Sequence, residues 1–277
     1  MLNFGFKRLF SLFLLFSSTT MLIAEEIPVE EFFCDSALSG VTLSPDGKKY
    51  AALVPINGPA CAVEEDDDPQ SARVLLVMDL ETKKPIILSG TADYARIVQF
   101  FWLNDDRIGF YKQPTRGLDA YDLWAIDIDG KNLKKLVPGK WEDGYATGAR
   151  VSFLMDDDPD HVLVEYNKRR PKYTDIYKLN IYSGRLTTLA IDPVLGNNTL
   201  MGWAIDQQGN VRGYMAMDGL KYKLYHRNNV DEDFALLREF TYQEAMFMPQ
   251  TYDYDPRYVY VVCLLYTSPS PRDQRGS

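Results

Sequence analysis

Histidine is nearly missing from this chain: His161 and His226 are the only two in 277 residues. That scarcity excludes a histidine-rich transition-metal centre and leaves few candidates for a general base near neutral pH. His161 follows the run DDDPD at what reads as the start of a strand, and His226 lies within one. Neither has a serine or aspartate partner at motif spacing, so both are expected to be structural or surface residues. No G-x-S-x-G elbow occurs anywhere. Cysteine is sparse as well, and Cys34, Cys61 and Cys263 form no pattern with metal-ligand spacing. No catalytic residue, no cofactor and no metal ligand is therefore expected within the chain.

Positive charge is also short. The formal net charge is −9, and an acidic surface argues against nucleic acid as a partner. Long apolar runs are absent except at the start. There Lys7-Arg8 precedes the apolar run Leu9 to Phe16, Met21 to Ala24 extends it past a Ser/Thr patch, and Glu25-Glu26 follows. This is the pattern of a secretory signal peptide over residues 1–24, too interrupted for a membrane span. Cleavage is expected after Ala24, although Leu22 at the −3 position fits the small-residue rule poorly; an uncleaved signal anchor is the alternative. The mature chain is then exported, periplasmic or extracellular, with no membrane contact beyond the signal peptide. Loss of Lys7 and Arg8 takes the net charge from −9 to −11. Export permits a disulfide between Cys34 and Cys61, and two free thiols remain equally open, because sequence spacing does not decide pairing.

Aromatics and alternation are plentiful. Eighteen Tyr and fourteen Phe suit strands better than helices. A strand–turn–strand unit recurs as VTLSPDGKKYAALVPI (41–56), QFFWLNDDRIGFYKQ (99–113), VSFLMDDDPDHVLVEYN (151–167), MGWAIDQQGNVRGYMAM (201–217) and TYDYDPRYVYVV (251–262). Each turn is an Asp/Asn/Pro/Gly cluster, which is hairpin chemistry. Anchored on Asp46, Asp106, Asp158, Asp206 and Asp255, the steps are 60, 52, 48 and 49 residues. A second hairpin follows each of the first four: residues 74–88, 122–137, 175–190 and 222–240. Two hairpins every fifty or so residues spell four-stranded antiparallel β-propeller blades. The expected fold is all-β: four complete blades and half of a fifth, over residues 25–262. A β-sandwich with irregular hairpins is the competing arrangement. The only helical signal after the signal region is one turn near Tyr242–Phe247.

Three features invite a functional reading. The acidic run EEDDDP (64–69) lacks the alternating spacing and glycine of an EF-hand loop and reads as a solvated insertion in blade one. NKRRPK (167–172) reads as a basic, solvated hairpin loop, with a carboxylate or phosphate site as the sharper alternative. Trp102, Trp124 and Trp203 sit in strands and are expected to pack between blades.

In their order, LSPDGKKYAAL, VMDLETKK, FFWLNDDRIGF, DDDPDHVLVEYN with DIYKLNIYSGR, and GWAIDQQGNVRGYMA resemble the N-terminal propeller of prolyl-oligopeptidase-family serine peptidases, the dipeptidyl and acylaminoacyl peptidase branch in particular. The resemblance covers roughly residues 30–262. It implies a propeller that gates access of short peptides to an α/β-hydrolase domain bearing a Ser-Asp-His triad. No residue here matches that triad, so no catalytic role carries over, and the chain by itself is expected to be inactive. A reading of another class is a non-catalytic exported propeller that binds protein or glycan partners.

The end of the chain breaks the pattern. Residues 263–273, CLLYTSPSPRD, resemble a translated adapter from DNA library preparation, and residues 263–277 are expected to be a non-native tail. Without them the net charge of the mature chain is −12.

Overall fold

Strands that are buried on both faces need apolar side chains at successive positions, and β12 (His161–Arg170) shows how the chain meets that demand. Val162 and Val164 point toward the preceding sheet, while Leu163 between them points toward the following one. All three are fully buried. The sheet that holds β12 is therefore one layer in a stack, with a core on either side.

The computed structural model describes residues 38–55, 73–88, 97–113, 119–142, 144–193, 198–241, 246–255 and 257–264. The signal peptide, Cys34, Cys61, the acidic run 64–69 and residues 265–277 lie outside them. Blade 1 comprises β1 (Ser39–Leu43), β2 (Lys49–Pro55), β3 (Arg73–Asp79) and β4 (Pro85–Ile87). Blade 2 comprises β5 (Ile97–Asn104), β6 (Arg107–Lys112), β7 (Asp122–Asp127) and β8 (Lys134–Val137). A small hairpin, β9 (Lys140–Glu142) and β10 (Tyr145–Thr147), sits in the crossover to blade 3. Blade 3 is β11 (Ala149–Leu154), β12 (His161–Arg170), β13 (Tyr173–Asn180) and β14 (Leu186–Ala190). Blade 4 is β15 (Thr199–Ile205), β16 (Val211–Asp218), β17 (Lys221–His226) and β18 (Ala235–Thr241). A two-stranded sheet follows, β19 (Met246–Tyr252) with β20 (Val259–Leu264).

Every described pairing is antiparallel and joins neighbours in sequence. First strands of successive blades approach one another, β1 with β5 and β15 with β19. This is a partial β-propeller, and the strands follow the hairpins read from the sequence.

The turns explain why the repeat was readable. The Asp79 carboxylate accepts the N–H groups of Glu81 and Thr82, and the Asn180 side-chain oxygen accepts those of Tyr182 and Ser183. Asp206 does the same for Gln208 and Asn210. A short polar side chain that satisfies the turn's own N–H groups is what this chain conformation requires. Gly184, at φ 76°, occupies a left-handed position that a side chain would strain.

Two tryptophans stitch blades together. The Trp102 indole N–H donates to the Thr42 carbonyl of blade 1 at 3.3 Å, and that of Trp203 to the Thr174 carbonyl of blade 3 at 2.9 Å. Trp124 also packs on the blade 1–blade 2 core, but its Nε1 is buried without a hydrogen-bond partner among the described residues. Instead Lys112 and Lys135 lie over its ring, 5.6 and 5.1 Å from the centroid.

Some details differ from the sequence reading. NKRRPK is not all loop: β12 runs through Arg170, leaving Pro171 and Lys172 in the turn. Asn167 explains the extension, because its amide donates to Ala146 and Pro171 carbonyls and ties the strand end down. β19 begins at Met246, so the end of the segment read as a helical turn is strand; residues 242–245 lie outside the described set. β20 continues through Cys263 and Leu264, which pair with Phe247 and Met246, two residues into the stretch read as foreign.

Candidate functional site

The crossover from blade 2 to blade 3 is a seam held by several side-chain contacts. It starts with a close approach: a Cβ on Gly139 would lie 2.4 Å from the Tyr121 carbonyl carbon. Only glycine lets the chain leave β8 this way. The Gly139 N–H then donates to Asp122 at 2.8 Å, and Asp122 also binds Lys135 at 2.5 Å. Asn167 accepts the Gly148 N–H at 3.0 Å, so the crossover is fastened at both ends.

Against this crossover lies an inner cleft of about 550 Å³. β11 and β12 pair Arg150 directly with Glu165, and the side chains meet at 2.7 Å. Arg150 remains largely exposed, at 71%, so it stays available to a ligand. The Tyr111 hydroxyl accepts the Val151 N–H at 2.7 Å. Burial raises the pKa of that phenol, keeping it neutral. Tyr121 donates to Asp119 at 3.2 Å. The cleft thus presents one cation, two carboxylates and two phenols. Among the described residues no serine, cysteine or histidine lines it. Such a set of charges and hydroxyls is suited to holding a charged, polar ligand.

The two histidines sit elsewhere. His161 at the start of β12 lies 2.8 Å from Asp158 through Nδ1 and 3.2 Å from the Asn180 amide through Nε2. The Asp–His pair resembles part of a triad, but the second ring nitrogen meets an amide, and the nearby Ser183 hydroxyl donates to Asn180 instead. Asp158 is held below the usual carboxylate range by hydrogen bonds from Lys178 and His161. The group clamps the β11–β12 turn to β13. His226 at the end of β17 lies 3.0 Å from the Tyr252 hydroxyl across the blade 4–β19 seam. Burial and the neighbouring Arg212 push its pKa down. Among the described residues no three His, Cys, Asp or Glu side chains cluster closely enough to hold a metal ion.

Sequence reasoning found the turns and the basic run, but missed the Arg150–Glu165 pair. The usable signal was register: the two residues flank the β11–β12 hairpin and face each other once its turn is fixed.

No family model matches the chain. Among curated proteins it is 27% identical to dipeptidyl aminopeptidase BIII of Pseudoxanthomonas mexicana over 167 residues, which make up 60% of this chain and 21% of that protein. The chain therefore matches only about a fifth of that relative's length. Among solved structures, a Bacteroides ovatus protein provisionally named dipeptidyl aminopeptidase IV superposes with a TM-score of 0.46 at 12% identity, covering 69% of this chain and 33% of the other. An oligogalacturonate lyase from Vibrio parahaemolyticus superposes with a TM-score of 0.43 at 15% identity, covering 73% and 55%. With its blades in the order the motifs dictate, and with a dipeptidyl aminopeptidase as its curated relative, the chain is a stretch of β-propeller like that of prolyl-oligopeptidase-family serine peptidases.

Proposed function

We propose that this chain is the substrate-gating propeller of an exported serine peptidase that hydrolyses short peptides, with the catalytic α/β-hydrolase domain encoded beyond it. The observation that carries the reading is the 167-residue match to a dipeptidyl aminopeptidase. The inner cleft supports it: a short peptide carries an ammonium at one end and a carboxylate at the other, and Glu165, Asp119 and Arg150 offer partners for both. In this division of labour the propeller admits and orients the peptide. Attack on the scissile carbonyl and collapse of the acyl-enzyme take place on the hydrolase domain. Residues 1–24 direct export.

The test begins with the gene. The source reading frame is extended past the codon for Val262, expressed whole, and treated with a fluorophosphonate serine-hydrolase probe alongside dipeptidyl chromogenic substrates. A G-x-S-x-G elbow downstream, probe labelling and dipeptide release are expected. A closing blade followed by a stop codon, or an intact protein that neither labels nor cleaves, would overturn the reading in favour of a binding propeller. The chain of 277 residues alone is expected to show no hydrolysis.

A further inference from the structure

The same seam holds a second cavity on its outer side. It measures about 480 Å³ and lies between the β9–β10 hairpin and blade 3. Leu136, Pro138 and Leu186 give its lining an apolar part, and Lys140, Lys168 and Arg169 a cationic one, with the Glu142 carboxylate also lining it. Tyr166 also lines this cavity and is only 8% exposed. Its ring is fixed edge-on against Tyr177, with centroids 6.0 Å apart. Its hydroxyl makes no hydrogen bond to any described residue. The hydroxyl oxygen is not itself sealed from solvent, so it is open to a ligand.

The cations are unequally committed. Arg169 gives Nε and Nη2 to Asp175, at 3.1 and 3.0 Å, which leaves Nη1. Lys140 lies 3.5 Å from Glu142. Lys168 forms no ion pair with a described residue. Burial and the nearby Glu142 carboxylate both raise the pKa of Tyr166, so it remains an O–H donor. An uncompensated ammonium, a spare guanidinium N–H and an unused phenol thus share one cavity with an apolar part of the lining.

We propose that this outer cavity binds a carboxylate carried on a small apolar body, with the carboxylate on Lys168, Tyr166 and Arg169 and the apolar body against Leu136 and Leu186. A bare phosphate would satisfy the donors and leave the apolar part uncovered. A carboxylate of this kind comes from the carboxy terminus of a short peptide or from a free aliphatic acid. The site takes part in no bond breaking, and it does not depend on the peptidase reading.

Isothermal titration calorimetry on the full 277-residue chain tests it. The probes are N-acetyl-leucine, N-acetyl-leucinamide, hexanoate and inorganic phosphate. N-acetyl-leucine is expected to bind, and its amide about tenfold more weakly or worse, because the charge-assisted bonds are lost. Lys168→Met and Tyr166→Phe are each expected to weaken the acid about tenfold and leave the amide unchanged. Lys168 is exposed, so that variant keeps its fold whatever happens at Tyr166. Hexanoate binding as well as N-acetyl-leucine assigns the site to aliphatic acids; N-acetyl-leucine alone assigns it to peptide termini. Equal affinity for acid and amide, wild-type affinity in both variants, preference for phosphate, or no heat with any carboxylate would each overturn the proposal. None of these results bears on whether the extended gene encodes a peptidase.

Discussion

Arg107, the first residue of β6, donates its Nε–H to the carbonyl of Ile181 in blade 3 at 2.9 Å, across 74 positions of sequence. The same guanidinium binds Asp127 and the Asn132 carbonyl, and it stacks 4.9 Å from the Tyr182 ring centroid. At 1% exposure Arg107 is among the most buried large side chains of the molecule. A planar fork spreads five donors over three nitrogens, so it reaches acceptors that lie too far apart for a single ammonium nitrogen.

Arg107→Met is therefore expected to destabilise the protein by about 2–3 kcal/mol, since it leaves two carbonyls beside the core without their donor and Asp127 with Asn132 alone. Arg107→Lys should recover less than half of that loss. Equilibrium urea unfolding of the two variants checks both statements. A loss below ~1 kcal/mol in the methionine variant would show that the seam between blades 2 and 3 rests on apolar packing alone.

Gly139→Ala is expected to disturb the same seam from its other end. The new methyl would sit 2.4 Å from the Tyr121 carbonyl carbon and 2.5 Å from its oxygen, and both are backbone atoms that cannot rotate away. Overpacking of this kind typically costs about 1–3 kcal/mol. Gly47→Ala makes a useful comparison: no atom lies within 4 Å of its Cβ position, and its penalty comes only from a φ of 69°. A thermal melt in which Gly139→Ala loses no more than Gly47→Ala would contradict the close approach.

The blades were legible because their signals are local. Alternation and the Asp, Asn or Gly of each turn sit within one hairpin, and Asp79 or Asn180 satisfies N–H groups only two and three residues away. The seam was not legible for the opposite reason. An arginine after two aspartates, as at Arg107, reads as a solvated turn, and its burial depends on Ile181, far along the chain. β9 and β10 have three residues each, too few to show a period. The basic run at 167–172 was visible, but the cavity beside it was not, because its lining also draws on Lys140 from the crossover and Tyr166 from inside β12.

Acid should loosen the seam between blade 4 and β19. His226 faces the Tyr252 hydroxyl from β19 and the Arg212 guanidinium from β16, with Asn228 and Glu232 on its own side. Its folded pKa lies below the ordinary 6.5, mainly through burial and then through Arg212. A depressed pKa means that the unfolded chain binds the proton more readily. The stabilisation is complete above pH 6.5 and is lost as pH falls through the lower folded value. His226→Gln should flatten the stability profile between pH 7 and 5 in urea unfolding. An unchanged slope in that window would remove His226 from the seam's pH response.

Alkali should act on the same region with the opposite sign. Tyr214 and Tyr252 are both pushed up to about 12, chiefly by burial. Tyr214 stacks on Tyr225 at 4.6 Å, and Tyr252 lies under Arg212 at 5.7 Å. A raised pKa keeps the phenol neutral in the folded state, so its stabilisation is complete below the ordinary value of 10. It is lost as pH rises from there through about 12. Each phenol contributes on the order of 1–2 kcal/mol to that loss. Tyr214→Phe removes the titrating group while keeping the ring, and should hold its stability better than the parent between pH 10 and 12. Tyr252→Phe should do the same at high pH but start lower, because it leaves His226 without its hydroxyl partner. Phenolate absorbance followed during urea titration separates the two: parallel alkaline losses in parent and both variants would show that neither tyrosine governs this edge of the propeller.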